Sequence, residues 1–282
     1  QLFVEGKNVL HIGYGSGSAD GNGDYHDTVG GGKTGNGINA FTMPSLSYKR
    51  QVTEDISAVF AYHMPYEADL SSSSAGLYQG LIADWKSHSY SALVNYNLNN
   101  GFAIHGGVQL VQTFGNSVLP GVVAYGDPDL PNYVVDTKTD LDSGFIAGVS
   151  YSIPEIAFQV RLTYEAEIEH TYKHTETIPN PADGSPLDIT STDNSTLPAA
   201  FTFSIESAVS ETTLAWLSAR HVEWKSFGFA PELYSANAGE DLIYFDHNTT
   251  SFELGMGHML NNEWSVGGLI YYEKAVGEEA SP

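Results

Sequence analysis

Between residues 8 and 274 the chain alternates apolar and polar residues at period two, run after run, and the connections between runs are short and long by turns. Successive side chains of a strand point to opposite faces, so this period marks strands with one apolar and one polar face. Eleven are expected, over residues 8–16, 40–50, 56–66, 86–97, 102–114, 143–153, 156–172, 198–209, 214–224, 250–260 and 264–274. The pattern is clearest where Ile156, Phe158, Val160, Leu162 and Tyr164 fall on one face and Gln159, Arg161, Thr163 and Glu165 on the other. Phe102, Ile104, Gly106, Val108 and Leu110 face away from His105, Gly107 and Gln109, and Trp264, Val266, Gly268, Ile270 and Tyr272 repeat the arrangement.

A soluble β-sandwich would alternate too. Three further features favour an all-β, antiparallel transmembrane β-barrel. Runs of about ten residues are long enough to cross a hydrocarbon layer when tilted. Aromatics such as Tyr90, Tyr96, Phe102, Tyr151, Phe158, Tyr172 and Trp264 sit near strand ends, as an interfacial girdle requires. The short connections (51–55, 98–101, 154–155, 210–213, 261–263) alternate strictly with the long ones (17–39, 67–85, 115–142, 173–197, 225–249). Antiparallel neighbours then gather every short turn at one end and every long loop at the other, the pattern of periplasmic turns and extracellular loops. Eleven strands cannot close antiparallel, so a single incomplete barrel domain over 1–282 is expected, with sequence missing at both ends.

Composition narrows the partners. With 34 acidic and 11 basic residues the formal charge is −23, which disfavours nucleic acid. Asp127, Asp129, Asp136, Asp140 and Asp142 fall in long loops, where they either solubilise the loop or bridge through divalent cations to lipopolysaccharide. There is no cysteine, hence neither disulfide nor thiolate metal site. No run approaches 18 apolar residues, so no transmembrane helix is expected. Catalytic motifs of the G-x-S-x-G, H-E-x-x-H or P-loop kind are missing, and neither catalytic residues nor a cofactor are expected. His170 and His174 are four apart, which makes a metal-binding face on a helix but not on a strand. They are expected to be solvated loop-edge histidines, with no metal. The face assigned to the lumen is polar: Ser87, Ser89, Ser91, Gln109, Gln159, Arg161, Glu165, Glu167 and Glu169.

Several segments, taken in order, resemble the FadL family of outer-membrane transporters of fatty acids and hydrocarbons. Leu2 to Gly15 resembles the family's first strand after its plugging hatch, and Ser45 to Ile56 its second strand and first tight turn. Leu162-Thr-Tyr-Glu-Ala-Glu-Ile168, Leu197-Pro-Ala-Ala-Phe-Thr-Phe203 and Val222-Glu-Trp-Lys-Ser-Phe227 are similar to later strands. Leu254-Gly-Met-Gly-His-Met-Leu-Asn-Asn-Glu-Trp-Ser265 is similar to the family's L-G-x-x-Y-x-x-N-x-x-W-S pattern. The resemblance implies a fourteen-stranded barrel, of which about eleven strands are present, and passive transport of hydrophobic molecules. It also implies that ligand leaves sideways through the wall. The alternatives are a general polar porin or a surface adhesin.

Site residues follow from both lines. Pro65 cannot donate a ladder hydrogen bond, so His63, Met64, Pro65 and Tyr66 mark either a lateral gate near the family's strand-3 kink or merely a strand end. The third long loop carries Leu119, Val122, Tyr125, Leu130 and Tyr133, which either bind ligand or pack among the loops. His247 stands near the place of a family lysine, and Glu165 stands where the family has an arginine. Those changes weaken the case for a carboxylate ligand and leave uncharged hydrocarbons open. The partners expected are hydrophobic small molecules, outer-membrane lipid and lipopolysaccharide, with the chain as a monomer.

Overall fold

The computed structural model describes residues 7–21, 33–72 and 77–274. The start of the opening motif, Leu2 to Gly6, and the tail from residue 275 lie outside them. The strands are β1 (Asn8–Gly17), β2 (Phe41–Gln51), β3 (Ile56–His63), β4 (Glu67–Ser71), β5 (Ile82–Asn97), β6 (Phe102–Leu119), β7 (Tyr133–Ile153) and β8 (Phe158–Glu165). They continue with β9 (Ile168–Pro179), β10 (Pro186–Leu197), β11 (Ala200–Ser210), β12 (Thr213–Val222), β13 (Gly228–Phe229), β14 (Ile243–Tyr244), β15 (Thr249–Met259) and β16 (Ser265–Glu273). Two short helices, α1 (Gly121–Tyr125) and α2 (Glu232–Ala238), sit in long loops.

The wall is one antiparallel sheet in the order β1-β2-β3-β5-β6-β7-β8-β11-β12-β15-β16, eleven strands as the alternation requires. β4, β9 and β10 join the same sheet at its outer end, and among the described residues β1 and β16 do not pair, so the sheet is open. Its two faces are inverted relative to a water-soluble protein. Ile12, Phe60, Val94, Ile104, Val108, Phe145, Val149, Leu162 and Leu254 are exposed, while Ser47, Ser57, Ser89, Ser91, Asn95, His105, Gln109 and Ser150 are buried. A sandwich buries its apolar face against a second sheet. Here that face turns outward as a lipid-facing belt and the polar face lines the interior.

Three expectations need correction above the belt. The 173–197 segment is mostly a β-hairpin, since β9 and β10 pair along their whole length from Ile168–Leu197 to Pro179–Pro186. The strand expected over 156–172 is interrupted between Glu165 and Ile168, and its partner between Leu197 and Ala200. Register is kept across this break: Glu165 lies opposite Ala200 below it and Ile168 opposite Leu197 above it. The faces, however, invert together. Below, Arg161 and Glu165 turn inward; above, Ile168, His170, Tyr172, His174 and Glu176 do. Period-two geometry makes this unavoidable, because one residue of extra twist swaps every side chain across the sheet. Pro198 sits at the break and offers no donor to the ladder. Glu167 and Glu169 are therefore exposed on the outer face rather than lumenal. β7 has a similar bulge, where Thr113 pairs with Asp140 but Gly115 with Thr137.

Candidate functional site

The ladder between β2 and β3 runs from Gln51–Ser57 up to Ser45–His63 and stops. It resumes at the isolated bridge Ile38–Leu70, next to a hydrogen bond from Asn39 N–H to the Asp69 carbonyl, 2.9 Å. Counting inward from both ends gives sides of equal length, which sets Met43 opposite Pro65. Among the described residues no ladder pair joins 40–44 to 64–68. Pro44 and Pro65 stand on opposite sides of this window, and each lacks the N–H that a rung would need. On its other side the Met64–Tyr66 segment is held by a side chain. Tyr66 N–H donates to Ser87 Oγ (2.8 Å), and that hydroxyl donates back to the Tyr66 carbonyl (2.6 Å). Pro65 thus lies between two strands: β3 ends at His63, and the chain goes on as β4, paired again with β5 from Glu67–Lys86.

Behind the window lies a cavity of about 530 Å³, and His63, Met64, Pro65 and Tyr66 all line it. The far side is built by Glu165, Ile168, Leu197, Arg220, Val222 and Trp224. That volume falls in the range of small-molecule pockets, roughly 300–1,000 Å³. The Arg220 guanidinium grips Glu165 with both arms, at 2.7 and 2.8 Å, and also donates to Thr202 Oγ1 at 3.0 Å. Tyr66 packs edge-on against Trp224, which in turn contacts Phe227 and Phe245 at ring-centroid distances of 6.1 and 4.9 Å. Local sequence patterns point to neither Arg220 nor Trp224 as site residues, because their partners lie tens of residues away. The only trace of Trp224 is its place in the Val222–Phe227 motif.

The loop residues singled out from sequence lie above this cavity. Leu119 and Tyr133, 8% and 1% exposed, form a core with Val135, Tyr172 and Phe229, against which Trp85, Tyr125 and Tyr234 pack. Val122 and Leu130 are half-buried beside them, and His247 is exposed and does not line the cavity. Glu176, fully buried, fastens the cap. It accepts from Tyr133 Oη (2.7 Å), from the Ser191 hydroxyl and from the backbone N–H groups of Leu233 (3.2 Å) and Tyr234 (3.1 Å). Burial, and then the hydrogen bond to Glu176, push the Tyr133 phenol well above its usual range, so it stays a donor. Burial and the nearby Glu176 charge push Tyr125 up to about 12.

His170 and His174 are not solvated, contrary to the sequence-based expectation: both are fully buried on the inward face of β9, as the inversion at 166–167 dictates. His170 Nδ1 lies 2.9 Å from Asp140 and 3.6 Å from Asp142. These three groups bring one possible ligand atom each to within 4.8 Å of one another, the one such set among the described residues. His174 Nδ1 is 3.1 Å from Thr137 Oγ1.

An inside-out antiparallel wall with short turns at one end, long loops at the other and a cavity behind a break in the wall is the architecture of an outer-membrane type of β-barrel. Solved structures agree. The fold is similar to that of a Pseudomonas aeruginosa FadL homologue, with TM-score 0.65 and 14% identity over 95% of this chain and 70% of that one. It is similar to the Ralstonia pickettii toluene transporter TbuX, with TM-score 0.61 and 13% identity over 95% and 75%. The P. putida toluene transporter TodX gives 0.65 and 13% over 96% and 76%. The translocator domain of the Neisseria meningitidis autotransporter NalP gives 0.52. No protein-family model and no curated protein matches the sequence. At these identities the likeness is one of fold.

Proposed function

We propose that the chain is the wall of a FadL-type channel that passes hydrophobic molecules, long-chain fatty acids or hydrocarbons, across the outer membrane without an energy source and without catalysis. Ligand would gather at the outer loops, enter the cavity and leave sideways between β2 and β4 into lipid. It would act as a monomer, its outer loops against lipopolysaccharide. The observation that carries this is that the four residues of the window segment, His63 to Tyr66, are also lining residues of the cavity. A ligand held there has the unpaired stretch of wall beside it. Each buried CH₂ is worth roughly 0.8 kcal/mol, so a chain in a wet lumen is driven toward the bilayer. Similar folds described as a monoaromatic hydrocarbon channel and as toluene transporters support the same class of cargo.

The test is to close the window. Cysteines at Met43 and Pro65 face each other across it, and oxidation would staple the two sides. Uptake of a hydrophobic probe into lipid should stop in the oxidised, correctly inserted protein and return on reduction. Uptake at the normal rate with the staple in place refutes lateral exit. Large, steady ion conductance in a planar bilayer would identify a general porin instead.

A further inference from the structure

We propose that the Glu165–Arg220 pair is a charge filter that restricts the cavity to uncharged hydrophobic ligands and turns carboxylates away. This rests on the transport reading above and narrows its cargo.

Among the described lining residues, Arg220 is the one side chain with a permanent positive charge, and the lining holds two carboxylates, Glu165 and Glu273. Arg220 is the one permanent cation that a fatty-acid head group meets there; Ser91, Gln109, Thr249 and Ser251 offer only neutral donors. That guanidinium is already taken by a bidentate pair at 2.7 and 2.8 Å, its preferred geometry for a carboxylate. To take the same two-armed grip, the intruding carboxylate would have to displace Glu165. It would leave that charge unpaired in a half-buried site. Exchanging one carboxylate for another gains nothing, and stranding the first costs its desolvation. An alcohol, alkane or aromatic ring meets no such penalty, because it asks nothing of Arg220. The remaining walls suit it: Met64, Val111, Ile146, Ile168, Leu197, Val222 and Trp224 are apolar.

The pair is built into the fold. Glu165 ends β8, just below the break at which the hairpin inverts, and is the last residue of that strand to point inward. Arg220 lies on β12, two strands away with β11 between. Its third contact, Thr202 Oγ1, comes from that intervening strand. The guanidinium is thus held from two strands.

Two probes of equal chain length, laurate below its micellar concentration and dodecanol, separate charge from shape. Their binding to the detergent-refolded protein is measured by quenching of tryptophan fluorescence or by calorimetry. The wild type should bind dodecanol at least about tenfold more tightly than laurate. In Glu165→Gln the freed guanidinium can make a charge-assisted hydrogen bond, and the laurate-to-dodecanol affinity ratio should rise roughly ten- to a hundredfold. In the double variant Glu165→Gln/Arg220→Gln the ratio should fall back. Glu165→Ser gives the same comparison if the Gln variant does not refold. Equal affinities in the wild type, or an unchanged ratio in a folded single variant, overturn the filter while leaving hydrophobic transport intact. A wild-type protein that binds neither probe removes the transport reading, and the filter with it.

Discussion

Tyr66 and Trp224 meet edge to face, ring centroids 5.4 Å apart at an interplanar angle of 75°. One belongs to the window segment after β3 and the other to the turn after β12, strands that are not neighbours in the wall. The contact therefore spans the interior, and it ties the window to the cap through Phe227 and Phe245.

Removing that tie should loosen the window without unfolding the barrel. Edge-to-face aromatic pairs are worth about 0.5–1.5 kcal/mol beyond their buried area. In Trp224→Ala, thiol labelling of a Met64→Cys reporter should speed up roughly two- to tenfold. Unchanged labelling would mean that Ser87 alone holds the segment.

The cap should come apart separately from the wall. Glu176 accepts four hydrogen bonds while fully buried. Glu176→Gln turns an amide NH₂ toward groups that are themselves donors, and each buried unsatisfied donor costs about 1–3 kcal/mol. Amides of 228–244 should lose protection from hydrogen exchange, whereas those of β5, β6 and β8 keep theirs. Equal loss in both regions would show that cap and wall unfold as one unit.

The cap should also weaken in acid. Burial lowers the affinity of His174 for a proton, outweighing the pull of Glu176. The unfolded chain then binds that proton more readily, so the contribution of His174 to stability is whole above the ordinary value of 6.5 and declines as pH falls through 6.5 toward the lower folded value. Asp193, 4.0 Å from Nε2, offsets part of the cost. Exchange protection of β9 should drop between about pH 7.5 and about pH 5.5, and His174→Gln should flatten that dependence. A pH-independent wild type would contradict it.

Wall packing makes a contrast between two glycines. A Cβ on Gly107 would press into the Ala92 carbonyl oxygen and lie 2.8 Å from Leu93 Cα, whereas one on Gly268 meets nothing within 4 Å. Gly107→Ala should cost about 1–3 kcal/mol and lower the folded fraction seen as heat-modifiable gel migration. Gly268→Ala should leave it unchanged.

The wall was legible because lipid on one side and a polar interior on the other impose a strict contrast at period two. Ile104 and His105 declare their faces in the sequence. Above the belt that contrast fades. Thr171 and Lys173 face out while His170 and His174 face in, so polar residues lie on both sides and nothing local marks the part of β9 beyond Tyr172 as a strand. The inversion at 166–167 was hidden for the same reason, and with it the burial of the two histidines. Pro65 showed itself by chemistry alone, as a residue that cannot complete a rung. Arg220 could not, since its meaning depends on Glu165, 55 residues earlier.

The unpaired stretch between β2 and β4 is long. From the rung at Ser45–His63 to the bond at Asn39–Asp69 it covers six residue steps, roughly 20 Å at the usual strand rise. An opening of that height, left by missing rungs between two adjacent segments, would be a slot. Under the lateral exit proposed above, a molecule would pass broadside, like a letter rather than a thread, so that thickness and not length would decide what gets through. Lengthening a straight chain by several carbons should change its passage little, while one bulky branch should stop it.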